Sequence, residues 1–66
     1  MMKLDTARRI VAAQPDGIDY DRQTYVEYDR ETGDWLVAAD GTPMEWRVSP
    51  DGTAGRQFMP VDAREV

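Results

Sequence analysis

Neither cysteine nor histidine occurs in these 66 residues, lysine and serine occur once each, and no apolar run exceeds five residues. The first absence excludes disulfides and the thiolate and imidazole ligands of zinc and copper sites. It also removes the two side chains most used as nucleophile and general base near neutral pH. Ser49, the single serine, precedes Pro50 and has no base to activate it. Gly33, Gly41, Gly52 and Gly55 all stand in turn contexts, so no glycine-rich phosphate loop is present. A carboxylate pair of the glycosidase kind needs a deep cleft, for which so short a chain has little volume. The reading is therefore a non-enzyme with no cofactor and no dedicated metal site.

The short apolar runs, Ile10 to Ala13 and Trp35 to Ala39, fall far below the roughly 20 residues of a membrane helix. Lys3, Arg8 and Arg9 are not followed by the continuous apolar stretch of a signal peptide. Cytoplasm and no membrane partner are the expectation. Seven arginines to one lysine suggest a GC-rich coding sequence of bacterial or phage type. A chain of this length makes one domain, 1–66, with a thin core. Lacking disulfide and metal staples, it relies on Trp35, Trp46, Phe58 and the tyrosines, or on a homodimer.

What the chain does have is pattern. Leu4, Ala7, Val11 and Ile10 or Gln14 recur at three-to-four spacing, which predicts a helix over 4–13. Asp5 suits its positive end and pairs with Arg9 at i,i+4, while Pro15 and Asp16-Gly17 stop it. From Tyr20 onward the period changes to two. Strands are predicted over 24–29, 35–39, 44–49 and, more weakly because of Pro60, 57–61. Turns at Arg30 to Gly33, Asp40 to Pro43 and Ser49 to Gly52 recur about every ten residues, as in a meander. The fold class is α+β: one N-terminal helix on a three- or four-stranded antiparallel sheet. The helix covers the face carrying Val26, Tyr28, Met44, Trp46 and Val48, with some of Trp35, Val37 and Phe58. Tyr28 to Gly33 looks like one unit of a YD repeat, but a single copy without a period is a hairpin turn.

Charge is distributed unevenly. The chain nets −5, with 13 acids against 8 bases. Asp16, Asp19, Asp21, Glu27, Asp29, Glu31 and Asp34 face only Arg22 and Arg30 in one segment, which alone accounts for the −5. An EF-hand loop fails here in either register. Starting at Asp16 puts Ile18 and Tyr20 at ligand positions; starting at Asp19 puts Thr24 where glycine belongs. A pI near 4.4 disfavours direct binding of nucleic acid, whose phosphates need Lys and Arg. Arg8 and Arg9 read as helix cations and partners of Asp5.

The bland account of the acids is turn chemistry and ordinary surface charge. The sharper one is geometric. On a strand Glu27 and Asp29 share a face with Tyr25, their Cα atoms about 6.6 Å apart, while Val26 and Tyr28 turn to the core. Asp19 and Asp21 at one end, and Glu31 and Asp34 at the other, extend this row into a negative ridge. Such a ridge complements the basic groove of a nucleic-acid-binding protein.

In its size, its lack of catalytic residues and its run Asp19, Asp21, Glu27, Asp29, Glu31, Asp34, the chain resembles small acidic phage-encoded inhibitors of bacterial defence, the anti-CRISPR and DNA-mimic proteins. That resemblance implies a stoichiometric inhibitor acting in the host cytoplasm on a basic, nucleic-acid-binding complex. The alternative is an interaction module, antitoxin or immunity protein that binds through exposed aromatics among Trp35, Trp46, Tyr20, Tyr25 and Phe58, with Met59.

Overall fold

A computed structural model describes residues 1–58. One helix, α1 (Leu4–Ala13), is followed by a single 3-10 turn (Tyr20–Arg22) and four strands. These are β1 (Tyr25–Asp29), β2 (Asp34–Ala38), β3 (Met44–Val48) and β4 (Ala54–Phe58). They form one antiparallel sheet in the order β1-β2-β3-β4, the meander that the turn spacing predicts. No helix among the described residues is long and apolar enough to cross a membrane.

The helix occupies the predicted span. Ala7 and Val11 are fully buried against Val37, Trp46 and Val48, with Ile10, Val26, Trp35 and Ala54 packed around them. Leu4, expected on the apolar stripe, is instead 41% exposed. The N-terminal segment is held by Trp35 Nε1, which donates to Met2 O at 2.9 Å. Beyond Gln14 the chain reverses through Asp16 at φ 60. Gly17 then presses against the helix so closely that a Cβ there would lie 2.0 Å from Val11 O. Only glycine fits this approach.

Strand ends differ from the sequence reading by one residue in β1, β2 and β3, and β4 begins three residues earlier than expected. β4 begins at Ala54 because the Ser49–Thr53 turn closes at once. Gly52 N–H donates to Ser49 O at 2.9 Å, Ser49 N–H to Thr53 O at 2.8 Å, and Gly52 takes φ 92. That three-residue loop puts Ala54 opposite Val48. Register, not the weak strand propensity of Ala-Gly-Arg, sets the boundary. Residues 59–61 of the expected fourth strand lie outside the described residues.

Cross-strand partners share a face. The face under α1 therefore carries Val26, Tyr28, Trp35, Val37, Met44, Trp46, Val48, Ala54, Arg56 and Phe58. Tyr28 and Trp35 are direct partners with ring centroids 4.9 Å apart. Phe58 lies past the reach of the helix and is 74% exposed.

Candidate functional site, the open face of the sheet

The face opposite α1 has no element laid over it among the described residues. Read across the ladder, it presents Tyr25, Ala38, Glu45 and Gln57 in one row. Glu27, Leu36, Arg47 and Gly55 form the next, and Asp29 and Asp34 the last. Four carboxylates thus meet one guanidinium.

Asp29 and Asp34 stand directly opposite each other, which for like charges is unfavourable without a cation. Arg47 supplies it, with Nη1 donating to Asp34 Oδ2 at 2.8 Å and to Asp29 Oδ2 at 3.3 Å. Asp29 also accepts the Glu31 N–H at 3.0 Å. That backbone bond, more than the Arg47 contact, holds its carboxyl below the usual range. Asp34 is only 8% exposed. It is committed to the hairpin and offers little to a partner.

At the opposite end, the Tyr25 hydroxyl donates to Glu27 Oε1. This bond is the main reason the Tyr25 phenol is pushed up to about 12, with burial and the charges of Glu27 and Glu45 adding to it. Glu45 is 2% exposed and accepts from Gln57 Nε2 at 2.9 Å. Glu27 and Glu31 are exposed.

The remaining two expected site residues are not part of this row. Asp19 and Asp21 are exposed, but they lie at the start of and within the 3-10 turn, which packs beside α1. The expectation of extended chain from Tyr20 is corrected there. Arg22 N–H donates to Asp19 O at 2.9 Å, and Arg8 fastens the turn from the helix. Arg8 is a clamp, not a partner of Asp5: Nε donates to Gln23 Oε1 at 2.9 Å and Nη2 to Tyr20 O at 2.8 Å. Its guanidinium lies 3.8 Å from the Tyr20 ring centroid. Buried Gln23 returns donors to the carbonyls of Arg8 and Ile18, each at 2.9 Å. Arg9 does pair with Asp5, at 2.7 Å. The Tyr20 hydroxyl at 2.5 Å is the larger cause of the lowered Asp5 carboxyl, and Asp5 in turn raises the Tyr20 phenol.

Sequence reasoning passed over Arg47, Glu45 and Gln57. The alternation Met44-Glu45-Trp46-Arg47-Val48 places the first two opposite Trp46. Their partners depend on a register no local pattern reveals. The described residues also line two open clefts, the second of them reaching this face at Arg47, Gly55 and Gln57. One of about 500 Å³ is lined by Arg9, Ala12, Ala13 and Tyr20, and one of about 230 Å³ is lined by Arg47, Ser49 and residues 53–57. Among the described residues no group of three or more carboxylates is placed to hold a metal ion. Compared with protein-family models, curated proteins and solved structures, the chain matches none.

Proposed function

We propose that this chain is a stoichiometric inhibitor without catalytic activity. It binds the basic, nucleic-acid-binding surface of a partner protein in the manner of an anti-CRISPR or other DNA-mimic protein. The observation that carries the reading is the sheet face opposite α1, which no other described element covers, with four carboxylates to one guanidinium and Glu27 exposed upon it. Glu31 in the adjoining hairpin loop adds to its field. Asp19 and Asp21 act from the flank beside α1, steering approach without direct contact. Asp29 and Asp34 contribute charge while remaining tied to Arg47.

The test is capture of partner from bacterial lysate by the parent and by one variant carrying Asp19→Asn, Asp21→Asn, Glu27→Gln and Glu31→Gln. Capture is run at about 0.1 M and about 1 M salt, between which the Debye length falls from about 10 Å to about 3 Å. The parent is expected to retain a nucleic-acid-binding protein at low salt only, to lose it to added duplex DNA, and to surpass the variant. Capture indifferent to salt, DNA and the four substitutions would transfer the contact to exposed Phe58 and sink the mimic reading.

A further inference from the structure

The two edges of the sheet are not alike. β1, at one edge, carries Glu27 and Asp29, and charge along an edge strand discourages a second chain from pairing with it. β4, at the other, has Arg56 as its only charge, and no further strand pairs with it among the described residues. Gly55 and Arg56 are exposed, and a Cβ on Gly55 would meet nothing within 4 Å. Phe58 ends the strand 74% exposed. Such an edge offers its backbone donors and acceptors to another strand.

Core size and charge say whose strand that is. The largest fully buried side chains are only Val11, Val37 and Val48, and the chain has no disulfide. Cores this thin are commonly reinforced by self-association. The net charge of −5 lies in residues 16–34, and none of those acids stands on β3 or β4. Pairing β4 with β4 of a second copy therefore leaves both acidic segments toward the outer edges. Pairing β1 with β1 would instead draw the Glu27 and Asp29 rows of two copies together, and like charges across a strand pair are unfavourable. Pairing β4 with β1 gains nothing from opposite charge, because Arg56 stands on the face under α1 and Glu27 and Asp29 on the other. It also repeats head to tail instead of closing into a two-fold dimer.

We propose that this chain forms a two-fold dimer by antiparallel pairing of β4 with β4 of a second copy, centred on Gln57, with Arg56 of each copy opposite Phe58 of the other. A two-fold axis perpendicular to the sheet keeps faces matched and passes through a pair of identical residues. Centring on Arg56 would oppose two guanidiniums. Centring on Gly55 would leave Phe58 beyond the start of the second copy's β4 at Ala54. Centring on Gln57 sets each exposed Phe58 against a guanidinium on the same face, a cation–π contact made twice. The product is one eight-stranded sheet with both α1 helices on one side and both open faces on the other. The dimer does not depend on the inhibitor reading.

A single strand pair falls below the roughly 1,200 Å² of a stable interface, so the dimer is weak. Sedimentation velocity from about 10 µM to about 1 mM should show the parent passing from monomer to dimer. Over the same range the backbone amides of Gly55 to Phe58 should shift in NMR spectra while those of β1 stay in place. Phe58→Ser, on an exposed side chain, should weaken dimerisation about tenfold, and Glu27→Gln should leave it within about twofold. Cysteine, absent from the chain, reads out the register. An equal mixture of Arg56→Cys and Phe58→Cys chains should oxidise chiefly to the mixed disulfide, because directly opposed residues lie within disulfide reach. One Arg56–Phe58 contact survives in that mixed pair and none in either like pair. A parent that stays monomeric to about 1 mM overturns the proposal. So does a Phe58→Ser variant that dimerises as well as the parent, or a mixture that oxidises chiefly to like pairs.

Discussion

Under α1 the sheet is closed by apolar volume: Val37 and Val48 are fully buried and Trp46 is 6% exposed. On the opposite face the polar contacts are Tyr25 with Glu27 along β1 and, between strands, Glu45 with Gln57 and Arg47 with Asp29 and Asp34. The first face derives its stability from water released on burial, which is non-directional and cumulative. The second is held by directed polar contacts that offset their own desolvation and leave a modest surplus. Substitutions on the two faces should therefore fail differently, by unfolding on one and by altered field and titration on the other.

Trp46→Ala should have the largest effect. Truncating a buried aromatic costs about 3–5 kcal/mol, comparable to the whole stability expected at about 0.05–0.15 kcal/mol per residue. Far-ultraviolet circular dichroism should show an unfolded chain at room temperature. A folded Trp46→Ala variant would break the contrast between the faces, since the covered one would then not carry the fold.

Gly17→Ala comes next and probes the seat of the helix that covers that face. Gly17 does not use the left-handed region, so the penalty is collision with Val11 O and not backbone handedness. Forcing the backbone apart should cost about 2–3 kcal/mol, read from the urea midpoint. An unchanged midpoint would show that α1 can shift without loss.

Arg47→Met sharpens the comparison from the polar side. It leaves Asp29 and Asp34 facing each other with no cation and should cost about 1–2 kcal/mol. The same change makes the open face one unit more negative. Association with a basic partner should then quicken even as the domain weakens, a divergence that no substitution under α1 should produce. Equal losses in both measurements would mean that Arg47 itself meets the partner.

How far these features are legible in the sequence follows from their range. The helix and its stop are local, written in Leu4, Ala7, Val11 and Pro15, and the span is met at both ends even though Leu4 turns outward. Three strands and the separation of Val26 and Tyr28 from Glu27 and Asp29 follow from period two. β4 starts earlier than expected because Ala54-Gly55-Arg56 are held by pairing with β3, which propensity does not register. The Arg8–Gln23 clamp joins residues 15 apart. The sharing of Arg47 by Asp29 and Asp34 spans three strands. Charge in a segment is readable from composition, but whether that charge is free depends on a partner from elsewhere in the chain.

Acid should weaken the polar contacts before the apolar ones. Asp29 and Asp51 are held low chiefly by the backbone N–H groups of Glu31 and Thr53, and Asp5 by the Tyr20 hydroxyl. A carboxyl whose folded value is depressed binds its proton more readily when unfolded. Its contribution is therefore present above the ordinary value near 4 and lost as pH falls through the folded one. Urea midpoints should be flat from about pH 7 to about pH 5 and decline below about pH 4. A midpoint that rises on acidification would mean that repulsion among the acids outweighs these bonds.

The smallest stability effect belongs to Glu27→Gln, within about 0.5 kcal/mol as for other exposed positions, yet it tests the open face most directly. Tyr25 is pushed up to about 12, with Glu27 as the largest cause. Because the folded value is raised, the neutral phenol is favoured by folding. That contribution is complete below the unfolded value near 10 and is lost as pH rises through the folded one. Replacing the carboxylate by an amide removes both the strong acceptor and its charge. The phenolate absorbance of Tyr25, identified by difference from a Tyr25→Phe variant, should then appear at lower pH in Glu27→Gln than in the parent. If it stays near 12, burial and the charge of Glu45 hold the phenol by themselves. Glu27 would then be a solvated side chain with no fixed place beside Tyr25, and the polar order ascribed to the open face would reduce to Glu45, Gln57 and the Arg47 hairpin.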